Sequence, residues 1–469
     1  MILLENIELC PSVMSHDFHF SSGKMLNFYT DTRAFKYPGA FVAIPGAKVN
    51  VLDLINPLLD LGCELIIYQD SSENNKKADQ LSEAYPAVQF IKVSDSVDFL
   101  QEITHYHATD WQSQNPAHVL FGISGSNGKT THKEMLNFIL NKVFPGEIVG
   151  TEKNNNNHLG VPLTLLNINP LTKFVILELG SNHPGEIKVL CDIAAPNAGL
   201  TTNIGATHLE FFGDEKAVFD EEAYLYHAVK DQTSSKGFYL INEDDSFLKT
   251  LASTKGSIRY GSSAKAQAKV SYLKDGAILK FDGKTYKATN SNITGKHNFL
   301  NLVTTVFIAS HFFPSKKSQI MKAASEFVPT KNRSQWIDVE KAKIYLDAYN
   351  ANPSSMKAAL EGFKDSLAQK NLKPSDSYIV LGDMNELGEN GPSYHADLGH
   401  FIKELGFTHV CFVGRFAKDY IKGYGNGAES APTSSDFRPT YRAKILSQYA
   451  YHFVKGSRSL QLESLFDIT

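Results

Sequence analysis

The chain has 469 residues, 42% of them hydrophobic and 20% charged, with a formal net charge of −4. That length holds about two to four domains of roughly 100–200 residues each, and the composition is that of a folded globular protein. The mildly acidic balance with scattered basic residues argues against nucleic acid or an anionic membrane as the main partner. Cys10, Cys63, Cys191 and Cys411 form no CxxC pair, which excludes a cysteine-built zinc site and fits a reducing compartment.

The opening Met1-Ile-Leu-Leu-Glu-Asn-Ile-Glu8 lacks the basic and apolar regions of a signal peptide. No apolar run approaches the roughly 20 residues needed to cross a bilayer. A cytoplasmic monomer without stable membrane insertion is therefore expected. Strand-like runs at Phe41–Ile44, Glu64–Tyr68 and Phe90–Val93 alternate with helical ones, which argues for an α/β fold with largely parallel sheets. A polar stretch over 105–117 is expected to separate this first unit from a second, with hinges near 110–117 and 330.

Next comes the apolar run Val119–Ile123, then Ser124-Gly-Ser-Asn-Gly128, then Lys129-Thr-Thr131 opening a helix with Met135, Leu136, Phe138 and Ile139 on its apolar side. Strand, Gly-rich turn and helix in that order make a phosphate site: backbone N–H groups converge on the anion and the helix points its positive end at it. Lys129 would neutralise β/γ-phosphates and the Thr130 hydroxyl would ligate Mg²⁺. Five residues separate Gly122 from Gly128, one more than the strict P-loop pattern allows.

Strands follow at Phe174–Leu179 and Gly199–Asn203. Glu178 ends the first, in the crevice where α/β sheets bind ligands. His208 follows the second, and both side chains suit Mg²⁺ beside a nucleotide as readily as they suit ordinary structural roles. The amide-rich Thr151–Pro162 segment reads as a ligand-binding loop or as a polar turn. Residues 236–293 read as a small antiparallel insertion, and helical periodicity returns at Phe299–Phe312. Asn298 and Asn301 sit where asparagine is an ordinary helix cap. A third unit begins near Asn332, with strands at Lys343–Leu346, Tyr378–Leu381 and His409–Val413. The expected domains are 1–112, 113–330 and 331–469.

In combination these segments resemble the Mur ligase family through almost the whole chain. The resemblance rests on Gly125–Thr131 with Lys133-Glu134, Asn156–Leu166, Glu178–Gly180 with Gly185–Ile187, and Thr202–Gly205 with His208–Glu210. It continues through Asp347–Pro353 with Ser355-Met356, Gly382–Met384 with Glu386–Gly388, and Lys455–Arg458. It implies an α/β, three-domain architecture: an N-terminal UDP-sugar domain, a central P-loop ATPase domain and a C-terminal Rossmann-like domain. The implied activity is that of the members joining D-Ala-D-Ala to UDP-N-acetylmuramoyl-tripeptide, with ATP and Mg²⁺, through an acyl phosphate.

Carried over by motif, the resemblance implies that Gly125, Ser126, Asn127, Gly128, Lys129, Thr130 and Thr131 hold phosphates, while Thr130, Glu178 and His208 serve the metal. Asn298 and Asn301 would contact adenine, and Arg333 and Asp347 would grip ribose and phosphates. Asn156, Asn157, His158, Asn350 and Asn352 would face substrate; Asp31, Thr32 and Arg33 would take the uridine side, and Lys455 and Arg458 the amino substrate. Lys129, Glu178, His208 and Glu222 are the catalytic candidates.

Three positions depart from the family pattern. The family's metal-binding carbamylated lysine falls on Glu222, whose carboxylate is roughly 3–4 Å closer to its backbone. Glu222 is then a built-in substitute, the mark of a weakened second metal site, or a surface residue. The segment Lys48-Val-Asn-Val-Leu-Asp53 keeps only Asn50 of the usual sugar-side pattern, and Lys153 replaces a usual glycine. These departures leave open a ligase for another acceptor or amine, and a weakly catalytic nucleotide- or muropeptide-binding regulatory relative.

Overall fold

The computed structural model describes residues 1–466 other than 16, 17, 19, 47 and 48. Three sheets follow one another along the chain. The first has five strands in sequence order: Ile2–Leu3, Met25–Tyr29, Gly39–Ala43, Leu65–Gln69 and Gln89–Val93. All neighbours are parallel except the first pair. Alternate residues of its inner strands serve opposite faces, Val42, Leu65 and Ile67 on one and Phe41, Ile66 and Tyr68 on the other. Burial on both faces is what a parallel sheet requires.

The central sheet has nine strands. Val119–Ser124 lies between Phe174–Glu178 and Ala198–Thr201, parallel to both. Val119, Phe121 and Ile123 join one core with the helices Lys129–Val143 and Lys296–Phe312, while Leu120 joins the other with Leu190 of Glu186–Ala194 and Leu225 of Tyr224–Gln232. Removing a fully buried ring such as Phe121 would cost about 3–5 kcal/mol. The stretch expected to be a separate antiparallel insertion instead extends this sheet. Phe238–Asn242, Ser257–Gly261 and Ala268–Leu273 continue it in parallel, and only Gly276–Phe281 and Lys284–Thr289 turn antiparallel. Its last three strands alternate, with Val270, Leu279 and Tyr286 on the side that joins the core containing Phe307, which is why they read as an independent hairpin in sequence.

The C-terminal sheet has six strands, with Tyr451–Lys455 inserted between Ala342–Asp347 and Ser377–Gly382. Val410–Val413 and Glu429–Ala431 lie beyond on one side and Gln335–Val339 on the other.

The polar stretch 105–117 is not a linker over most of its length. Helix Ser96–Gln114 runs through it, and the expected boundary at residue 112 falls within its last turn. Phe99 and Ile103 pack into the first domain, Ala108 and Trp111 into the central one. Trp111 Nε1 donates to the Thr172 carbonyl at 3.0 Å, and His107 Nε2 lies 3.2 Å from the Ile168 carbonyl. The histidines and the tryptophan that make the segment look polar are half of a two-sided helix whose faces serve different domains. That sharing makes the helix part of both cores up to Gln114.

Candidate functional site

The carboxyl ends of the central strands open into a cavity of about 660 Å³ shared with the C-terminal domain. The nucleotide loop forms its floor. Gly125 has φ +119°, and a Cβ there would come within 2.2 Å of Thr202 Oγ1; Gly128, at φ +83°, starts the helix. Both conformations favour glycine. Asn203 braces the loop from the neighbouring strand end, accepting from Asn127 N at 3.2 Å and donating to its carbonyl at 2.9 Å.

Lys129 Nζ folds back onto the Gly125 carbonyl. Thr130 Oγ1 donates to Glu178 Oε1 at 2.7 Å, and Asn156 Nδ2 donates to the same oxygen at 3.2 Å. Glu178 is almost fully buried, yet its Oε2 accepts no hydrogen bond and lies 3.8 Å from Lys133 Nζ. An orphaned carboxylate oxygen beside a threonine hydroxyl, both lining the phosphate cavity, is a hard-donor pair that fits Mg²⁺. Among the described residues no three His, Cys, Asp or Glu side chains cluster tightly enough to hold a metal alone. Phosphate oxygens would have to complete the shell, which is the usual habit of this ion.

His208 lines the same cavity but its Nδ1 is 2.5 Å from Glu386 Oε2 of the C-terminal domain. That ring holds Glu386 below the usual carboxylate range. Burial pushes the neighbouring His132 and His297 down to about 4, so both are neutral at pH 7.

The C-terminal domain closes over the loop. Asn352 Nδ2 donates to Asn127 Oδ1 at 2.6 Å, and Asn127 Nδ2 donates to Ser354 Oγ at 2.9 Å. Asn352 also caps the helix Pro353–Ala368. Arg333 stacks on Tyr349, its guanidinium carbon 3.7 Å from the ring centre. Asp347 Oδ2 and the Asn350 carbonyl accept from buried Lys455 at 2.6 and 2.8 Å. Arg333, Asp347, Asn350 and Lys455 all line the cavity, as do Asn298 and Asn301 of the central domain.

Comparison with known proteins agrees with this arrangement. The family model for the Mur ligase middle domain matches residues 123–309, and that for the Mur ligase glutamate ligase domain matches 332–445. The chain belongs to the Mur ligase family. It is 28% identical to the UDP-N-acetylmuramoyl-tripeptide–D-alanyl-D-alanine ligase of Rickettsia prowazekii (strain Madrid E), over 98% of this chain and 96% of that protein. The Bacillus subtilis (strain 168) enzyme of the same name is 27% identical, over 84% and 81%. Crystal structure I of MurF from Acinetobacter baumannii superposes with a TM-score of 0.76 at 26% identity, covering 93% of this chain and 92% of that one. MurF ligase from Thermotoga maritima, solved with ADP, shares the fold at a TM-score of 0.72 and 21% identity, over 94% and 96%.

In this Mur ligase the cavity collects most residues singled out in sequence: Ser126–Thr131, Asn156–His158, Glu178, His208, Asn298, Asn301, Arg333, Asp347, Asn350 and Lys455. Others stand apart from it. Gly125, although part of the loop, does not line the cavity, and its N–H donates at 2.7 Å to Oε2 of Glu222, which does not line it either. Glu222 is thus no surface residue, being 3% exposed. Arg458 pairs with Glu463 at the surface, and Asn352 acts through Asn127. Asp31, Thr32 and Arg33 form a turn in the first domain, where Arg33 donates back to Asp31 at 2.9 and 2.7 Å. Lys48 lies outside the described residues. Asn50 accepts from Leu52 N and donates to Glu73 and Asn74, so it ties its turn to the helix Ser72–Ala84. Lys153 occupies a left-handed position at φ 49°, where glycine is the relaxed choice.

Sequence reasoning gave no role to Lys133, which is fully buried and donates to Glu134 at 2.6 Å and to the Lys153 carbonyl at 3.1 Å. A lysine inside an otherwise amphipathic helix face was the available signal. Ser181 and Asn182, which also line the cavity, carried no mark, and Glu186 and Tyr349 lay in segments that carried the resemblance without being given a role.

Proposed function

We propose that this Mur ligase joins D-Ala-D-Ala to UDP-N-acetylmuramoyl-tripeptide at the expense of ATP, as a cytoplasmic monomer. The observation that carries this reading is the single cavity in which Lys129, Thr130 and Glu178 face Arg333, Asp347 and Lys455, with the amide loop Asn156–His158 at its rim. ATP would lie with its phosphates on the nucleotide loop and its base toward Asn298 and Asn301. Thr130 and Glu178 would hold Mg²⁺, with His208 nearby; once bound, the ion neutralises phosphate charge.

The tripeptide's terminal carboxylate attacks the γ-phosphorus, ADP leaves, and an acyl phosphate forms. The neutral amine of D-Ala-D-Ala then adds to the acyl carbon, and collapse of the tetrahedral adduct breaks the C–O bond to phosphate, which leaves with the proton lost by the amine and gives an amide. Charge builds on phosphoryl oxygens and then on the carbonyl oxygen, so fixed cations matter more here than a strong acid or base. Lys129 and Lys455, which both line the cavity, would supply them. Asn156, bonded to Glu178, ties the acceptor-side loop to the phosphate end.

Phosphate release from MgATP, measured with both substrates and with each omitted, tests the reading. Release that needs both, with a UDP-muramoyl-pentapeptide by mass, is the expected result. Turnover with a different acceptor or amine would point to the second reading, which the remodelled turn at Asn50 favours. ATP binding with no turnover on any pair would make the protein a nucleotide-binding relative instead.

A further inference from the structure

The helix Glu215–Glu222 ends in two consecutive carboxylates, and both are buried: Glu221 is 8% and Glu222 3% exposed. This is an expensive arrangement. Carboxylates oppose the helix dipole in a last turn, and each loses its hydration on burial. Neutral side chains would pack there at lower cost, so the charges need an explanation in what they hold.

The two side chains diverge. Glu222 Oε2 accepts from the Gly125 N–H at 2.7 Å, and its Oε1 lies 3.6 Å from Lys129 Nζ. Glu221 turns the other way: Oε1 accepts from Ile187 N at 2.7 Å and from Ser181 Oγ at 3.1 Å, while Oε2 accepts from Gly185 N at 2.7 Å. Gly185 caps the helix Glu186–Ala194, so this carboxylate sits at a helix N-terminus, where anions are favoured. The shared backbone is itself fixed to the sheet, since the Glu222 carbonyl accepts from Ser124 Oγ at 2.8 Å and from Thr201 Oγ1 at 3.3 Å.

We infer that Glu221 and Glu222 are paired positioning residues, Glu222 setting the nucleotide loop and its lysine, Glu221 setting the Ser181–Ile187 loop at the acceptor end of the cavity. Neither carboxylate lines the cavity, whereas Lys129 on one side and Ser181, Asn182 and Glu186 on the other do. One rigid helix end therefore fixes the relative placement of two loops that must present the phosphoryl donor and the carboxylate to each other. A displacement of about 1 Å between such partners is enough to lose much of the rate. The assignment of ends rests on the reading of the cavity proposed above.

The test is a crossed pair of variants, with binding of MgATP and of UDP-N-acetylmuramoyl-tripeptide measured separately by calorimetry, alongside KM, kcat and Tm. Glu222→Ala is expected to weaken MgATP about tenfold and leave the tripeptide within about twofold; Glu221→Ala is expected to do the reverse, by the loss of charge-assisted hydrogen bonds. Glu222→Gln, which keeps an acceptor for the Gly125 N–H, should recover part of the nucleotide affinity. If the alanine variants do not fold, Glu222→Gln and Glu221→Gln carry the same crossed pattern at smaller amplitude. A lowered Tm with both ligands weakened equally, or with neither changed, would overturn the pairing. Wild-type protein that binds neither ligand would instead sink the functional reading, so the two failures are distinguishable.

Discussion

The central and first domains handle polar groups in opposite ways. In the central domain the charged residues at the phosphate end are withdrawn from solvent and bonded to their neighbours: the Glu178 side chain is 4% exposed and accepts from Thr130, and Lys129 is 14% exposed and reaches the Gly125 carbonyl and Glu222, whereas Asn157 and His158 of the amide loop stay exposed. In the first domain Asp31 and Arg33 are 46% and 88% exposed and bond chiefly to each other across two residues. The difference fits the roles proposed for the two regions. Phosphoryl chemistry needs charges that are already fixed and desolvated when the reaction begins. A sugar-nucleotide grip can be assembled from exposed side chains that trade local partners for ligand.

The widest separation between the regions should appear in Lys129→Ala. Loss of the loop cation proposed to meet the phosphates is expected to lower kcat by about a thousandfold or more, with a folded protein by circular dichroism. Near-normal phosphate release from that variant would break the comparison outright. Glu178→Gln comes next. It keeps the shape and the acceptor for Thr130 but removes the charge that the orphaned oxygen holds out. Turnover should fall about a hundredfold and the Mg²⁺ concentration for half-maximal rate should rise; an unchanged Mg²⁺ curve would remove Glu178 from the metal site.

How much of this was legible beforehand follows from how local each signal is. The nucleotide loop reads directly because strand, turn, lysine and helix are contiguous over Val119–Val143. Glu222 could be located by counting but not interpreted: the count gives a slot on a helix, whereas its direction depends on Gly125, 97 positions away. Glu221 was invisible for the same reason, since the N–H groups it serves lie 34 and 36 positions back. The 105–117 segment misled because its polarity belongs to a helix shared by two cores, where a polar separator between units was expected. Asn157 shows the other limit. Its Oδ1 accepts from Leu159 N and Gly160 N, so part of a run chosen for ligand binding caps a helix.

Acidity should expose the same contrast at the level of stability. His107, His132, His297 and His452 are each pushed by burial to about 4, and all lie in the shared helix or the later two domains. Unfolded, they titrate near about 6.5. Between those values the unfolded chain binds more protons, so stability is fully present above about pH 6.5 and is lost as pH falls toward 4. The Tm is expected to drop by at least several degrees between pH 7 and 5, and the drop should shrink in His452→Gln, whose ring lies against Tyr441 and the Tyr449 carbonyl. A flat profile over that range would mean these rings are protonated in the fold.

The smallest effect is expected where the site is most exposed. In Arg33→Ala the partner Asp31 keeps its bond to the backbone N–H of residue 33, so the turn over 31–34 survives and Tm should not move measurably. If Arg33 does serve the UDP end of the acceptor, releasing Asp31 to do so, the variant should raise KM for UDP-N-acetylmuramoyl-tripeptide a few-fold while leaving MgATP affinity and kcat alone, as the loss of binding shared by ground and transition states requires. A fall in kcat instead would mean that the first domain takes part in aligning the reacting groups, through the rigid helix Ser96–Gln114 that joins it to the catalytic sheet. The contrast between a preset centre and a loosely held grip would then have to be redrawn around that helix.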